Sequence, residues 1–537
     1  MLRKGVRVGE NVGVCLDRGV PVVVAMLAVI KAGAAYLSID ADYPSARREL
    51  MTRDGGVRLL ITRQGWGDRV PADLEAIEWN FDATGEVRPH DVRVEPEDPA
   101  CVLYTSGSTG EPKGIVFEHR NIAALAVNPS LPKLTADDKV GQISSISFDG
   151  ITLEVWAALA AGAEIVVLPR MSSLLPVDLK RELKRRKVSL MLVPATVLNE
   201  VCRVDRDTFA SLRHLCSGGD VILPATCRAL LGGKFAGDLY NLYGPSEITT
   251  AATAHRIVEV PEDTAAVPIG TAIDGYETYV VDEQMRPVRR GEPGELLIGG
   301  VGVARGYLGP ARLTAQRFVP NSFGTPGTRV YTTGDRVREN EAGELLFLGR
   351  LDNQYKIRGY RVEPTEVERA LSRHPNVRQA AVLVEEVDND RRLAGFVVPA
   401  TADISTVELR EFLTERVPQH MVPASLTAIK AMPTTRNGKR DWDALIELRR
   451  QARARSAARV EPETDVERWL VALWERLLGF DDVGALDNFF ELGGHSLLAF
   501  RARMAMVREY GIQLDSHILF EHSTVRALAG AIEEARK

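Results

Sequence analysis

The sequence predicts an α/β protein in three parts: a large layered α/β domain, a small α+β subdomain and an all-α helical bundle. Residues from about 10 to 350 alternate strand-like runs with helical patterns and Gly-rich turns. A shorter strand–helix–strand pattern follows, and the C-terminal stretch carries apolar side chains at helical spacing. At 537 residues the chain also exceeds what one hydrophobic core usually organises, which predicts several domains.

Composition and charge exclude several classes of protein. Hydrophobic residues make up 45% and charged residues 26%, as in ordinary globular proteins, and the net charge of −6 gives no basis for a nucleic-acid partner. The apolar stretch Val20–Ile30 is too short to span a bilayer, and residues 1–5 lack the apolar core of a signal peptide. Five scattered cysteines indicate reduced thiols. We therefore expect a cytoplasmic protein without a membrane or nucleic-acid partner.

The large α/β domain is expected to cover residues 1–351. Its alternating pattern is clearest at Val20–Lys31, at Tyr36–Ile39 and in the strand-like Glu164–Leu168, which precedes Pro169. Alternation of this kind predicts layers of helices packed on sheets.

The small subdomain is expected over residues 352–448. It begins with a predicted strand at Gln354–Ile357 and continues with a helix at Pro364–Arg373 and a strand at Gln379–Val384. An arginine-rich stretch within residues 449–462 has no apolar face, so it is predicted to be a solvated linker or a frayed helix. A nucleic-acid-binding arm is the alternative for these arginines.

The last part, residues 463–537, is predicted to be a small helical bundle. Asp465 can cap its first helix, which ends at Gly479. Apolar residues recur along that helix at Val466, Trp469, Leu470, Leu473 and Leu477. Two more helices are predicted at Ser496–Tyr510 and Thr524–Glu534.

The densest chemical signal is the run Tyr104–Gly114. Its small hydroxyl and glycine residues are Thr105, Ser106, Gly107, Ser108, Thr109 and Gly110. Such residues let backbone N–H groups and hydroxyls surround phosphates, and Lys113 adds a positive charge. The run is not a Walker A loop, because the Gly-Lys-Ser/Thr unit is missing and Pro112 precedes the lysine. Taken alone, it could equally be a flexible surface loop.

This run resembles the phosphate-binding loop of the adenylate-forming superfamily, specifically the adenylation domains of nonribosomal peptide synthetases. Other stretches resemble the family's motifs in order: Ile30–Tyr36, Asn241–Glu247, Gly294–Leu308, Tyr331–Asp335, Gly349–Gly359, Pro418–Pro423 and Asn437–Lys439. Their order and spacing across nearly the whole chain make chance matching negligible. Two departures stand out. Thr332 occupies a usually basic position, and the family's first core motif, expected before Val6, is missing.

The C-terminal bundle carries a second resemblance. Asp487–Leu497 is similar to the phosphopantetheine attachment site of peptidyl carrier proteins, with Ser496 as the modified residue. Gly493 and Gly494 permit a tight turn, and a helix start at Ser496 favours the phosphodiester of 4′-phosphopantetheine. A plain N-cap serine is the alternative.

The resemblance implies that ATP binds with Mg²⁺ and that an amino-acid carboxylate attacks its α-phosphate. The implied nucleotide-binding residues are Thr105, Ser106, Gly107, Ser108, Thr109, Gly110, Lys113, Asn241, Tyr243, Gly244, Ser246, Asp335 and Arg350. Glu247 would bind Mg²⁺, a hard cation suited to a carboxylate, and Tyr243 would face the adenine. Asp335 would accept hydrogen bonds from the ribose hydroxyls beside Arg350. A structural ion pair is the alternative for these last two residues.

Two further roles follow from the resemblance. Lys439, presented by the turn Asn437-Gly438, would bridge the attacking carboxylate and the α-phosphate. The implied catalytic residues are Thr105, Lys113, Glu247 and Lys439. Asp352 matches the family's hinge, about which the small subdomain turns before the thioester forms.

The implied specificity pocket is lined by Phe148, Asp149, Gly150, Leu153, Leu192, Cys216, Gly218, Leu242, Thr250 and Ala251. Asp149 would pair with the substrate's ammonium group, and the remaining lining has no charge. A charged side chain would be desolvated there without a partner. Gly150, Gly218 and Ala251 are expected to leave volume. These features predict a large, mostly apolar substrate, aromatic or branched aliphatic.

Two alternatives to an amino-acid-activating enzyme are an acyl- or aryl-CoA ligase and a degenerate scaffold that has lost catalysis. Asp149 and the fused carrier oppose the first, and the complete ligand set opposes the second. Implied partners are a phosphopantetheinyl transferase, tailoring or condensation enzymes acting in trans, and an MbtH-like helper protein. No flanking condensation or thioesterase domain is recognised, so a freestanding loading unit in antibiotic-type peptide biosynthesis is expected.

Overall fold

A computed structural model describes residues 1–66, 70–71, 73–80, 92–107, 110–169, 176–309, 311–352, 354–357, 359–387, 390–400, 404–435, 440–456, 460–479, 483–490, 492–494, 496–512 and 518–536. The chain divides into two compact units. The first unit consists of residues 1–107, 112–168 and 180–354, and the second of residues 108–111, 169–179 and 355–537.

The strands and helices are numbered here in chain order. The strands are β1 (Asn11–Cys15), β2 (Ala35–Ser38), β3 (Leu59–Thr62), β4 (Glu75–Glu78), β5 (Pro99–Thr105), β6 (Lys113–Glu118), β7 (Lys139–Gln142), β8 (Glu164–Val167), β9 (Leu190–Pro194), β10 (His214–Gly218), β11 (Asp238–Tyr243), β12 (Thr253–Ile257), β13 (Thr271–Ala272), β14 (Tyr276–Val281), β15 (Pro293–Gly300), β16 (Gly306–Tyr307), β17 (Phe318–Pro320), β18 (Arg329–Glu339), β19 (Leu345–Arg350), β20 (Tyr355–Ile357), β21 (Tyr360–Val362), β22 (Val377–Val387), β23 (Asp390–Pro399) and β24 (Ser425–Ala428). The helices are α1 (Val20–Lys31), α2 (Ser45–Asp54), α3 (His119–Ala126), α4 (Ala158–Ala161), α5 (Pro176–Arg186), α6 (Ala195–Val204), α7 (Pro224–Leu231), α8 (Ala311–Arg317), α9 (Pro364–Ser372), α10 (Thr406–Thr414), α11 (Trp442–Ser456), α12 (Asp465–Leu478), α13 (Ser496–Tyr510), α14 (Ile518–Glu521) and α15 (Val525–Ala535). A π-helical segment, Thr152–Ala157, precedes α4.

Among its described residues, the first unit contains three sheets. The first has the strand order β16-β6-β5-β2-β1-β3-β4 and the second β13-β12-β11-β10-β9-β7-β8. The third has the order β14-β15-β18-β17, with β19 paired to β18. In the first two sheets the central strands pair in parallel, and parallel neighbours need crossover connections such as α1. The predicted layered α/β architecture is therefore confirmed.

Local sequence explains how α1 covers the first sheet. Pro21 stands in its first turn, where a missing N–H costs nothing, and Gly33 follows its end in a left-handed conformation with φ of 77°. Val22, Met26 and Val29 recur at helical spacing and are fully buried. This stripe faces the core that the strands also supply.

The second unit begins with an α+β part, as predicted. β20 pairs with β21, and β22, β23 and β24 form a separate sheet in that order. The observed β22 (Val377–Val387) is longer at both ends than the predicted strand Gln379–Val384, because it pairs with β23 almost along its whole length. The helix predicted at Pro364–Arg373 is α9, which ends one residue earlier than expected, at Ser372.

The stretch expected to be a linker, residues 449–462, is partly helical, since α11 continues to Ser456. Arg449 donates a hydrogen bond to a carboxylate oxygen of Glu385 at 2.7 Å. At least this arginine therefore serves the fold of the small subdomain. Of the two forms that we predicted, the helical one describes residues up to 456.

The C-terminal bundle consists of α12 to α15. Thr464, and not Asp465 as we predicted, caps α12, because its hydroxyl accepts the Glu467 N–H at 3.1 Å in a capping box. Gly479 ends the helix with φ of 72°, as expected. The short helix α14 was not predicted, since one helical turn has too few residues to show a period.

None of the described helices is both long and apolar enough to cross a membrane. All five cysteines are buried and none forms a disulfide. The unpaired thiols agree with the expectation from their number and scatter in the sequence.

Candidate functional site

The predicted phosphate-binding loop joins two antiparallel strands of the first sheet. β5 ends at Thr105 and β6 begins at Lys113, and these two residues pair across the hairpin. The Thr105 hydroxyl is buried and has no hydrogen-bond partner within the described part of the chain. A buried polar group without a partner is costly, so this loop fits a ligand with many acceptor atoms. Ser108 and Thr109 lie outside the described residues.

Lys113 belongs to a buried centre of opposite charges. Its ammonium lies 3.5 Å from Glu247 Oε1 and donates a hydrogen bond to the Tyr307 hydroxyl at 3.0 Å. That hydroxyl donates to Glu247 Oε1 at 2.6 Å and lies 3.4 Å from the Tyr331 hydroxyl. All four side chains are buried. The centre therefore has the pairing and the hydrogen bonds that buried charges require.

The predicted Mg²⁺ ligand, Glu247, fits that role by its chemistry. It is a fully buried carboxylate beside the cation of Lys113. The described residues contain no cluster of three or more His, Cys, Asp or Glu that could hold a metal by itself. Mg²⁺ with a nucleotide needs no such cluster, because it is usually held by one or two carboxylates together with phosphate oxygens and waters.

Two predicted nucleotide residues, Asp335 and Arg350, form an ion pair in which Arg350 donates to Asp335 Oδ1 at 2.5 Å. Arg350 also makes a two-pronged contact with Asp352, at 2.7 and 2.9 Å. Asp335 accepts a hydrogen bond from the Tyr243 hydroxyl as well. Burial and the neighbouring Asp335 carboxylate raise the pKa of Tyr243, so its hydroxyl remains a donor. The structural ion pair that we considered is thus present, and the nucleotide role stays a prediction.

The motif Asn241–Glu247 runs from β11 into a short 3₁₀ turn. Asn241 donates its side-chain amide to the carbonyl oxygen of Pro268 at 2.7 Å, which fixes the strand end. A Cβ at Gly244 would lie 2.7 Å from the carbonyl oxygen of Thr250, so only glycine fits there. The predicted residues Asn241 and Gly244 therefore shape the turn that carries Glu247.

Four predicted pocket residues lie on one face of the second sheet. Cys216 and Gly218 alternate along β10 and so face the same side. Cys216 pairs with Leu192 of β9, and Gly218 with Leu242 of β11. Paired residues of neighbouring strands share a face, so the four lie side by side. Burial raises the pKa of Cys216 to about 12, which leaves its thiol neutral.

The structure also joins Asp149 to the turn after β11. Its carboxylate accepts a hydrogen bond from the Ser246 hydroxyl, and its backbone carbonyl accepts one from the Thr250 hydroxyl at 2.8 Å. Thr249 and Thr250 both have left-handed backbones, with φ of 66° and 69°. This conformation is strained for β-branched residues and often marks a functional site. Thr249 is further held by a 2.9 Å hydrogen bond to the carbonyl oxygen of Gly302.

The glycines of the pocket do not leave the volume that we expected. A Cβ at Gly218 would lie 2.3 Å from the carbonyl oxygen of Leu242, so the space belongs to the neighbouring strand. At Gly150 a Cβ would meet the Ser144 hydroxyl at 2.9 Å and a methyl carbon of Leu192 at 3.3 Å. The sequence prediction was wrong on this point because strand spacing, and not pocket width, requires Gly218. The remaining predicted lining residues are Phe148, which is half-buried, and Leu153 and Ala251, which are buried.

The predicted attachment residue, Ser496, is the first residue of α13. Gly493 has φ of 102°, a conformation that favours glycine. A Cβ at Gly494 would lie 2.2 Å from the Phe489 ring, and that ring packs at 4.9 Å from Trp474. The left-handed backbone thus favours glycine at 493 and the bundle core requires it at 494, and this turn brings the chain to a helix N-terminus at Ser496, which suits a phosphodiester.

Two other predictions have different outcomes. Lys439 lies outside the described residues, together with Asn437 and Gly438, so its role stays a prediction. Asp352 lies two residues before the last residue of the first unit, which ends at Gln354. Burial raises the pKa of Asp352, but the hydrogen bond and charge of Arg350 outweigh this and lower it, so the carboxylate stays charged.

Two aromatic members of the charged centre were not predicted from the motifs. Tyr307 and Tyr331 both stand inside motifs that we recognised, yet no role was assigned to either. Their hydroxyls meet only because β16 and β18 come together in the fold, beside Lys113 and Glu247. Their place within the recognised motifs was the one available signal.

Comparison with family models places three domains along the chain. The model described as "AMP-binding enzyme" matches residues 1–308, which is more than half of the chain. The "AMP-binding enzyme C-terminal domain" matches residues 366–439, and the "Phosphopantetheine attachment site" matches residues 468–532. ATP and 4′-phosphopantetheine are the cofactors of this combination.

Similar proteins are multidomain peptide synthetases. Gramicidin S synthase 2 of Aneurinibacillus migulanus is 36% identical over the whole chain, which spans 12% of that protein. Phosphinothricin tripeptide synthetase PhsC of Streptomyces viridochromogenes is 37% identical, and the chain spans 49% of it.

A solved structure has the same combination of domains. Holo-PA1221, an NRPS protein containing adenylation and PCP domains bound to a vinylsulfonamide inhibitor, superimposes with a TM-score of 0.82 at 28% identity. The match covers 98% of this chain and 88% of that one. This chain therefore belongs to the AMP-binding enzyme family, as an adenylate-forming ligase of the nonribosomal peptide synthetase type with a phosphopantetheine carrier domain.

Proposed function

We propose that this chain activates an amino acid as aminoacyl-AMP and transfers it to the phosphopantetheine thiol of its own carrier domain, in nonribosomal peptide biosynthesis. One observation carries the proposal. Ser246 donates a hydrogen bond to Asp149, and the next residue, Glu247, forms the buried ion pair with Lys113. Adjacent residues of one turn thus connect the predicted ammonium site with the predicted phosphate and metal site.

In the first step, a carboxylate oxygen of the amino acid attacks the α-phosphorus of ATP. A new P–O bond forms, and the bond to the departing pyrophosphate breaks. The amino acid itself provides the attacking oxygen, so the protein supplies no nucleophile. Its residues contribute alignment and charge stabilisation. Lys113 would neutralise the phosphates, and Lys439 would neutralise the charge between carboxylate and α-phosphate.

The metal and the nucleotide would be held by residues of the first unit. When bound to Glu247, Mg²⁺ would supply positive charge to the phosphate oxygens. Asp335 would accept hydrogen bonds from the ribose hydroxyls, and Arg350, which pairs with Asp335, would lie against the same nucleotide. Tyr243, which now donates to Asp335, would adjust its hydrogen bond when the nucleotide enters.

The second step needs the carrier. The thiol of 4′-phosphopantetheine, attached through Ser496, accepts the aminoacyl group as a thioester and AMP leaves. Asp352 would act as the hinge for the preceding change of domain arrangement. Its position two residues from the end of the first unit supports this assignment.

The proposed substrate has a mostly apolar side chain, aromatic or branched aliphatic. The uncharged lining supports the apolar character, whereas Gly150 and Gly218 leave no extra volume and so give no support for a large size. The predicted lining carries one charge, that of Asp149, which is reserved for the ammonium group. Leu153, Cys216 and Leu242 are buried and uncharged, so a charged side chain would lose its hydration without gaining a partner. The Thr250 hydroxyl donates a hydrogen bond to the backbone carbonyl oxygen of Asp149 and can still accept a hydrogen bond from a phenol or indole.

The test is pyrophosphate exchange into ATP, measured over the amino acids and over matched carboxylic acids without an amino group. We expect exchange with one apolar amino acid and background with its deaminated analogue. Lys439→Ala should reduce the exchange by about 100-fold or more through loss of a positioned charge. Exchange with the carboxylic acid alone would instead indicate an acyl- or aryl-CoA ligase.

The proposal includes partners and a location. A phosphopantetheinyl transferase modifies Ser496, and condensation or tailoring enzymes receive the aminoacyl group. A requirement for an MbtH-like protein is tested by co-expression. The five unpaired cysteines support a reducing compartment, the cytoplasm.

A further inference from the structure

The loop that leads from β7 to Asp149 is fixed by hydrogen bonds that no recognised motif explains. The Ser145 hydroxyl donates to the Asp40 carboxylate. The Ser147 hydroxyl donates to the backbone carbonyl oxygen of Ser38 at 3.2 Å. Both partners lie at the end of β2 or just beyond it, so the middle of the loop is anchored to the first sheet.

The start of the same loop is held by Glu154. This side chain is fully buried and stands on the π-helical segment Thr152–Ala157. Its carboxylate accepts the N–H of Ile143 at 3.3 Å, the N–H of Ser144 at 3.2 Å and the Ser144 hydroxyl at 2.9 Å. Such a turn of π-helix is rare and frequently accompanies a functional site. A buried carboxylate is tolerated because its oxygens are hydrogen-bonded.

Arg18 holds the other side of the same peptide. Its guanidinium donates to the carbonyl oxygen of Ile143 at 2.9 Å and to that of Gln142 at 3.4 Å. The N–H of Ile143 thus meets a carboxylate while its carbonyl meets a guanidinium. The loop start is therefore held from both directions, by the carboxyl group of Glu154 and by the guanidinium of Arg18, whose charge strengthens its hydrogen bonds.

Ser144 connects this clamp to the pocket. Its hydroxyl oxygen would lie 2.9 Å from a Cβ at Gly150. A methyl carbon of Leu192 would lie 3.3 Å from the same Cβ. Ser144 therefore stands beside the predicted lining residue Gly150, which Leu192 also approaches, without belonging to the predicted set. Leu153, a third lining residue, directly precedes Glu154 in the π-helical segment.

We propose that Glu154 is a positioning residue of the amino-acid site and that Ser144 is a further specificity-determining residue. Glu154 would set the place of the Ser144 hydroxyl and, through the loop, the place of Asp149. The inference rests on the proposed function, since it concerns recognition of the amino acid that the chain activates. It predicts that Glu154 affects binding of the amino acid and leaves binding of ATP unchanged.

A matched buried glutamate separates this role from a merely structural one. Glu200 is 6% exposed, lies in the first unit and pairs with Arg203 at 3.0 Å, outside the loop. We compare Glu154→Gln with Glu200→Gln in the full chain, by pyrophosphate exchange with saturation of each substrate in turn. Thermal denaturation of both variants establishes that they are folded.

We expect Glu154→Gln to raise the KM for the preferred amino acid by about tenfold, while the KM for ATP stays within about twofold. A shift of the loop before Asp149 would misalign the amino acid and leave the ATP site unchanged. Glu200→Gln should leave both values unchanged. Ser144→Ala, which removes the hydroxyl beside Gly150, should relax the preference toward a side chain one methyl larger.

The outcomes distinguish failure of the proposed function from failure of the inference about Glu154 and Ser144. If the wild-type chain exchanges pyrophosphate with no amino acid, the proposed function fails. If the wild type is active but Glu154→Gln and Glu200→Gln behave alike, or if KM for ATP rises together with that for the amino acid, Glu154 is not a positioning residue. An unchanged amino-acid preference in Ser144→Ala would remove Ser144 from the pocket.

Discussion

The proposed nucleotide side and the proposed amino-acid side of the first unit are held in place by different kinds of interaction. The nucleotide side comprises Lys113, Tyr243, Glu247, Asp335 and Arg350. Its charged groups pair with one another, as in the contacts of Lys113 with Glu247 and of Arg350 with Asp335. The amino-acid side presents a single charge, Asp149, on a largely apolar lining, and its walls are set by strand pairing and by the hydrogen-bonded loop before Asp149.

The two sides therefore differ in how they would recognise a ligand, one by charged groups and the other by the shape of a cavity. ATP and Mg²⁺ are constant ligands, so the groups that meet them can be fixed side chains at motif positions. An amino-acid side chain is recognised by the width and polarity of a cavity, which residues outside the motifs can adjust. Variants on the nucleotide side should therefore stop the chemistry, whereas variants on the amino-acid side should change the substrate or its KM.

The largest effect is expected for Glu247→Gln. Loss of this carboxylate leaves the Lys113 ammonium without its buried counter-charge and removes the predicted metal ligand. We expect a fall of about 100-fold in kcat for pyrophosphate exchange, about 3 kcal/mol, whichever amino acid is supplied. Glu200→Gln serves as the control. A change confined to the KM for one amino acid would contradict the assignment of Glu247 to the nucleotide side.

A smaller effect is expected at the hinge. Asp352→Pro and Asp352→Ala both delete the carboxylate that pairs with Arg350, but only proline fixes φ. We expect both variants to lose a similar part of the exchange activity, and the proline variant to transfer the aminoacyl group to Ser496 about tenfold more slowly. Single-turnover transfer rates decide this. Equal transfer rates in the two variants would exclude Asp352 as the pivot.

Two glycines of the amino-acid side should respond differently to the same change. Gly218→Ala places a Cβ 2.3 Å from the carbonyl oxygen of Leu242, so we expect a loss of about 1 to 3 kcal/mol in the free energy of unfolding. Gly150→Ala meets only side-chain atoms, the nearest being the Ser144 hydroxyl at 2.9 Å, and should mainly raise the KM for the amino acid. Denaturant unfolding and exchange kinetics of both variants test this. Equal stability losses would contradict the distinction.

The smallest effect concerns pH. Burial raises the pKa of Glu154 to about 7, against its hydrogen bonds and the charge of Arg18, which lower it. The folded chain therefore holds this proton more tightly than the unfolded chain, and rising pH destabilises the fold through this group. We expect wild type to lose about 1 kcal/mol relative to Glu154→Gln between pH 6 and pH 8. A stability difference that is independent of pH would show that Glu154 does not titrate in this range.

The recognised motifs were most useful in bringing charged residues together, while the roles predicted for those residues stay predictions. The motifs brought Lys113, Glu247, Asp335 and Arg350 into consideration, and these four meet in pairs in the fold. They could not show that Tyr307 donates to Glu247, because that contact depends on how distant strands come together.

Shape was harder to predict. Gly218 looked like a source of pocket volume because a glycine has no side chain, yet the neighbouring strand occupies the space. Glu154 and Ser144 carry no motif and differ by ten positions, so only the backbone path around the π-helical segment brings them together. The cap of α12 was predicted one residue too late, at Asp465 instead of Thr464, because adjacent Thr and Asp are both good caps.

The central claim is that one chain both activates an amino acid and carries it on Ser496. Intact-protein mass spectrometry tests it most directly, after treatment with a phosphopantetheinyl transferase and then with ATP, Mg²⁺ and the amino acid chosen by the exchange screen. We predict two successive mass gains on the wild type, one for phosphopantetheine and one for the aminoacyl group. Neither should occur on Ser496→Ala, which should keep its pyrophosphate exchange. Loading of Ser496→Ala, or a wild type that exchanges pyrophosphate but gains no aminoacyl mass, would contradict the account.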